Sequence, residues 1–166
     1  SSLFFSAQTE THGRELWRTD GAEATTFRIS DTNPSSGHGA PYNLTPVDGE
    51  LYFFGSPTGF SGALYHTNGT KAGTVKIGDL VDAYQLMRVG PRVVFMGSLA
   101  SPRDRELWVT DGTEAGTQVL KDINASSGSE PRFWLEKALN GFALFQADDG
   151  VPYALDLASG KARRKP

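Results

Sequence analysis

Cysteine is absent from all 166 residues, which removes thiol catalysis, disulfide staples and thiolate metal sites together. No apolar stretch reaches the length a helix needs to cross a bilayer, so membrane insertion is not expected. The N-terminal SSLFFSAQ also lacks the charged start and long apolar run of a signal peptide. Charge of one sign is missing too: 16 basic and 19 acidic residues leave a net charge of −3, and neither sign forms a long block. The chain therefore shows no electrostatic footprint for nucleic acid or anionic lipid. Only three histidines occur, His12, His38 and His66, with no short ligand spacing, and no metal site is expected from them. A nucleophile elbow, a phosphate loop and an EF-hand pattern are all lacking, and no cofactor is expected.

What is present repeats. The phrase ELWVTDGTEAGT at 106–117 stands in related form as ELWRTDG at 15–21 and ALYHTNGTKAGT at 63–74. Leu16, Leu64, Leu107 and Leu155 lie 48, 43 and 48 residues apart, and Gly21, Gly69, Gly112 and Gly160 keep the same spacing. An apolar run begins 13 or 14 residues before each leucine, at Leu3, Leu51, Val93 and Phe142. Four copies of one unit follow, approximately 3–50, 51–92, 93–141 and 142–166, the last short, within a single repeat domain spanning 1–166.

Each copy reads as strands. The runs LYFF, VVFM and FALF are apolar at successive positions, so both faces of those strands must be covered. Asp48-Gly49, Gly90-Pro91 and Asn140-Gly141 stand before them as tight turns, which places a further strand near 42–47, 84–89 and 132–139. Leu-Trp or Leu-Tyr of the phrase forms a third strand. TTFRIS, GTVKIGD and GTQVLKD form the fourth. FWLEKALNG at 133–141 has helical propensity, and its register in the repeat assigns it to a strand. Four-stranded antiparallel units at a period of about 40 to 50 residues predict an all-β, β-propeller-like array of about four blades, with a β-sandwich as the alternative.

The turn of the phrase has a structural explanation. Asp20, Asn68 and Asp111 are placed to accept hydrogen bonds from backbone N–H groups ahead of them, and Gly21, Gly69 and Gly112 to enter the left-handed region. Asn68 in place of aspartate suits a backbone cap and not a charged ligand or catalytic acid.

These residues resemble the bacterial ELWxxDGT repeat family, and the similarity runs over nearly the whole chain. Glu106-Leu107-Trp108, Asp111-Gly112-Thr113 and Gly116-Thr117 fit its pattern fully. Glu15-Leu16-Trp17 and Asp20-Gly21 fit, with Ala22 replacing threonine. The second copy departs at Ala63, Tyr65 and Asn68. The resemblance implies a propeller-like fold in an extracellular or cell-surface setting, and it carries no catalytic residues.

Counted from Leu3, the first blade lacks its innermost strand, and after Gly160 only KARRKP remains for a last one. An array that closes is a small ring, whereas an open arc exposes apolar blade sides and pairs with another copy as a homo-oligomer. Binding is expected on the longer loops and blade connections, where His12, Arg14, His38, Arg103, Asp104, Arg105, Glu130 and Arg132 are the polar candidates. The expected function is a non-catalytic binding or adhesion module for a glycan or another protein. Trp17, Trp108 and Trp134 stack on sugars if exposed and pack between strands otherwise. The alternative is a glycan hydrolase with carboxylates and arginines in a central mouth, which requires Asp104, Glu130 and Asp148 to converge.

Overall fold

Strands that are apolar at successive positions need cover on both faces, and the computed structural model supplies strands of that kind. It describes residues 2–59, 62–80, 82–99, 105–121, 132–133, 142–146, 152–156 and 161–164. Four antiparallel sheets follow one another along the chain. The first holds β1 (Leu3–Thr9), β2 (Gly13–Thr19) and β3 (Phe27–Arg28), with a 3-10 turn at Glu23–Thr25 between the last two. The second holds β4 (Tyr42–Val47), β5 (Glu50–Gly55), β6 (Gly62–Thr67) and β7 (Thr74–Leu80). The third holds β8 (Asp82–Val89), β9 (Arg92–Ser98), β10 (Glu106–Thr110) and β11 (Gln118–Lys121). The fourth holds β12 (Arg132–Phe133), β13 (Phe142–Gln146), β14 (Pro152–Asp156) and β15 (Lys161–Arg164). Within every sheet the strands lie in chain order, as a meander. Among the described residues the first sheet holds three strands and each of the others four.

The chain divides into two compact units, Ser1–Asp79 and Leu80–Pro166. In the first, Leu16 and Ile29 of the first sheet's segment cluster with Leu51, Phe53, Ala63 and Tyr65 of the second sheet. In the second, Met87, Val94, Met96, Leu107 and Val109 of the third sheet cluster with Tyr153 of the fourth. Sheet therefore packs on sheet, and the side chains that do it are those of the recurring apolar runs. Leu51 through Gly55 and Val93 through Ser98 are buried without interruption. Each fully buried phenylalanine there, such as Phe53 or Phe95, contributes about 2 to 3 kcal/mol by leaving water.

Turn chemistry sets the register. Asp48 and Gly49 both take positive φ, at 49° and 88°, and join β4 to β5 so that Val47 faces Glu50. At Gly90-Pro91 only Gly90 takes positive φ, at 60°, because the proline ring holds its own φ negative. Asn140-Gly141 and most of FWLEKALNG lie outside the described residues. One feature of the strands is not foreshadowed by the apolar pattern. β4 shifts register between Tyr42 and Thr45, and β8 does so between Tyr84 and Met87. Asn43 and Gln85 occupy the left-handed region inside those bulges, at φ 52° and 57°. The recurrence of Tyr-Xaa-Leu 42 residues apart is the signal that carries it.

The hairpin of the repeated phrase is built three times with one hydrogen-bond scheme. Thr113 donates its N–H to Asp111 Oδ1 at 3.0 Å and its hydroxyl at 2.7 Å. Thr70 does the same to Asn68 Oδ1 at 3.1 and 2.7 Å. Gly112 and Gly69 sit at φ 95° and 87° and donate to the preceding Thr110 and Thr67 hydroxyls, each at 3.0 Å. Gly116 and Gly73 pass so close to the Asp111 and Asn68 side chains that a Cβ has no room. In the first copy Ala22 lacks the hydroxyl, and the loss is offset from three residues further on. Thr25, standing where Gly73 and Gly116 stand, donates its hydroxyl to Asp20 Oδ1, and Ala22 donates its N–H there at 3.3 Å.

These donors hold the exposed Asp111 carboxyl below its ordinary value of 3.8, the Thr113 hydroxyl first and the Thr113 N–H second. A depressed carboxylate stabilises the fold above its unfolded value and loses that contribution as pH falls through the folded value. Asp111→Asn, which copies Asn68, is expected to fold at neutral pH and to lose less stability than the parent below about pH 4. Urea unfolding at pH 7 and pH 3 measures this directly.

Candidate functional site

Three loops meet at one end of the first two sheets. Residues 10–12 join β1 to β2, residues 29–41 connect the first sheet to the second, and residues 56–59 follow β5. Arg14 N–H donates to His38 Nδ1 at 3.0 Å, and Ala40 N–H donates to the Arg14 carbonyl at 3.0 Å. The long connection thus runs back along the start of β2. Ser56 N–H donates to the Gly39 carbonyl at 2.6 Å, which ties the third loop to the same segment. Gly13, at φ 61°, lies against the Gly37 carbonyl where no side chain fits.

The post behind these loops is Glu15, fully buried at 0% exposure in the middle of β2. Its carboxylate accepts from the Ser30 hydroxyl at 2.5 Å, from Thr32 N–H at 3.0 Å and Oγ1 at 2.9 Å, and from Asn33 N–H at 3.2 Å. Ser30 Oγ in turn accepts Leu16 N–H at 2.9 Å. A buried carboxylate is costly unless donors surround it, and here every donor comes from the connection it fixes. Glu106, the same residue of the third copy, is also buried, at 7% exposure, and the sequence 122–131, outside the described residues, again contains SSG. The second copy has Ala63, also buried, and there β7 and β8 are separated by Val81 alone. In the sequence, glutamate stands in the copies that carry SSG further on, at 35–37 and 126–128, and alanine in the copy that lacks it. Sequence reasoning missed this role, although that pairing of Glu with the SSG connection was the available signal.

The polar candidates separate into three groups. Arg14 and His38 are brought together and exposed, and His12 lies partly buried beside them, its Nδ1 2.7 Å from Thr11 Oγ1. Arg105 belongs to the second unit, where it forms an ion pair with Asp82 that includes a 2.7 Å hydrogen bond from Nε, and it covers the Tyr84 ring at 5.4 Å. Arg103, Asp104, Glu130 and Asp148 lie outside the described residues, as does Trp134, and Arg132 is described in its backbone only. His66 pairs with Glu50 at 3.1 Å. Among the described residues no three His, Asp or Glu side chains gather as metal ligands. Trp108 is buried, with its Nε1 donating to the Gly97 carbonyl at 2.9 Å, and Trp17 is partly buried.

A shallow cavity of about 250 Å³ opens between the Ile29–Thr32 segment and Tyr65, Lys71 and Thr74. Asp31 at its rim is paired with Arg28 at 2.6 Å. Burial, with the charges of Asp79 and Glu15, pushes the Tyr65 hydroxyl up to about 12, so it stays a neutral donor at any physiological pH.

Comparison with known proteins bears on the fold. The chain aligns with TolB from Acinetobacter baumannii, a β-propeller protein, over 98% of its own length at a TM-score of 0.58 and 14% identity. The fold is propeller-like. The chain spans 41% of the TolB chain it matches, so the likeness concerns blades and not a whole protein. No family model and no curated protein matches the sequence.

Because Glu15 holds donors that have no other acceptor, Glu15→Ala is expected to destabilise by about 2 to 4 kcal/mol. The reciprocal Ala63→Glu buries a carboxylate with no connection to latch and is expected to destabilise as well. Chemical denaturation of both variants beside the parent checks the pair.

Proposed function

We propose that this chain is a non-catalytic binding module of a secreted or cell-surface protein, with a protein or glycan ligand held on the loop face around Arg14 and His38. One observation carries the reading. The loops of that face are held from beneath by the buried Glu15 carboxylate and tied to one another by main-chain hydrogen bonds, so a long irregular segment presents a preformed surface. Preorganisation of this kind lowers the ordering cost of binding. The His38 ring nitrogen supports the reading, since it receives the Arg14 N–H and serves the backbone. Proton transfer would need that nitrogen free. The secreted or surface setting rests on the resemblance to the ELWxxDGT repeats.

A protein ligand is favoured over a glycan. Flat aromatic platforms suit sugars, and Trp108 is spent on packing inside the third sheet, stacked on Phe95 with ring centres 6.0 Å apart. Arg14, exposed beside a fixed backbone, is suited to pair with a carboxylate of a protein partner.

The test is a parallel glycan and protein binding screen run beside a measurement of mass in solution. Arg14→Glu is expected to weaken capture of the ligand about tenfold with an unchanged melting temperature. Lys76→Glu, on the exposed side of β7, is the control and leaves binding intact. A ligand that binds the parent and Arg14→Glu equally well sinks the proposal.

A further inference from the structure

The cavity beside Tyr65 lies wholly within the first unit, and its walls are fixed. On one side Ser30 and Thr32 are held by the buried Glu15 carboxylate. On the other, Thr74 donates its N–H to the Lys71 carbonyl at 3.3 Å and its hydroxyl to the Thr70 carbonyl at 2.8 Å. The Tyr65 ring stacks on Phe53 with centres 5.2 Å apart and lies against Gly55, where a Cβ would come within 3.2 Å of it. Together with Ile29, that ring gives the cavity an apolar lining.

Most polar groups at the cavity are already engaged. The Ser30 and Thr32 hydroxyls donate to Glu15, and the Thr74 hydroxyl is bonded to Thr67 as well as Thr70. Asp31 pairs with Arg28, and Asp79, whose charge acts on Tyr65, pairs with Lys76. Two groups are left. Tyr65 is 7% exposed, and no hydrogen bond from a described residue reaches its hydroxyl, which burial holds protonated. Lys71, at the exposed rim, has no ion-pair partner among the described residues. Both groups donate, and a donor withdrawn from water without an acceptor is costly, so the cavity calls for an acceptor that carries negative charge.

We propose that this cavity binds a carboxylate on a short apolar stem, with the Lys71 ammonium and the Tyr65 hydroxyl both donating to it and the stem against Ile29 and the Tyr65 ring. A volume of about 250 Å³ suits a small organic acid, or one acidic side chain of a protein partner, and falls below the range for drug-sized ligands. Tyr65 is also the residue that makes the room. It stands where Trp17 and Trp108 stand, since Phe5, Phe53 and Phe95 face these three residues in their sheets, and a phenol is smaller than an indole. The cavity includes neither Arg14 nor His38, so this proposal and the loop-face reading stand without each other.

The probes are benzoate, acetyl-Gly-Glu-Gly-amide and benzylamine, each titrated into the 15N-labelled 166-residue chain with amide shifts followed by NMR. Saturable shifts are expected at residues 29–32, 65, 71 and 74, with a dissociation constant for benzoate on the order of a millimolar. Tighter binding of benzoate assigns the site to free acids, and tighter binding of the peptide assigns it to an acidic side chain; either supports the proposal. Tyr65→Phe and Lys71→Gln are each expected to weaken binding about fivefold without lowering the melting temperature. Tyr65→Trp, which copies the other two sheets, is expected to fill the cavity and abolish binding. Should that variant fail to fold, Tyr65→Phe carries the same test. Absence of shifts with both carboxylates overturns the proposal. So does benzylamine binding as tightly as benzoate, or benzoate binding that neither Tyr65→Phe nor Lys71→Gln weakens.

Discussion

Everything in this fold follows from strands that have no solvent face. Leu51 to Gly55 and Val93 to Ser98 are buried at every position, so neither strand tolerates water on one side. A single antiparallel sheet cannot meet that demand, and sheet must lie on sheet. The clusters within the two units show how it is met: Leu16 and Ile29 with Phe53, and Met96 and Leu107 with Tyr153. Once the apolar runs are committed to packing, little is left to differ between copies except the turns and connections at the ends.

Those ends are where one buried charge alters the arrangement. Glu15 lies fully buried inside β2, and it is accommodated there because Ser30, Thr32 and Asn33 surround it with donors. The same interaction serves packing and function. It satisfies the carboxylate, and it turns residues 29–41 into a fixed surface beside Arg14. The repeated phrase is therefore scaffold in two senses: its Asp or Asn shapes the hairpin, and Glu15 carries the neighbouring connection.

The all-β blade pattern and the order of strands were legible in the sequence because each rests on a local rule. Strands that are apolar throughout, Asp-Gly turns and hydroxyl-bearing caps act within a few residues of themselves. The Glu15 latch was not legible, since it joins residues 15 to 18 positions apart through burial that no periodicity reports. Nor was the bulge at Asn43 and Gln85, because neither residue is a glycine that would announce a positive φ. Arg105 looked like a loop cation and instead forms an ion pair with Asp82, a partner 23 residues earlier.

The account stands on β5 and β9 as interior strands covered on both faces, and amide hydrogen exchange followed residue by residue tests this most directly. The prediction is that amides at 51–54 and 93–96 exchange only through global unfolding, while those of β3 and β15 exchange through local fraying. Exchange at 51–54 or 93–96 as fast as at the sheet edges would contradict it.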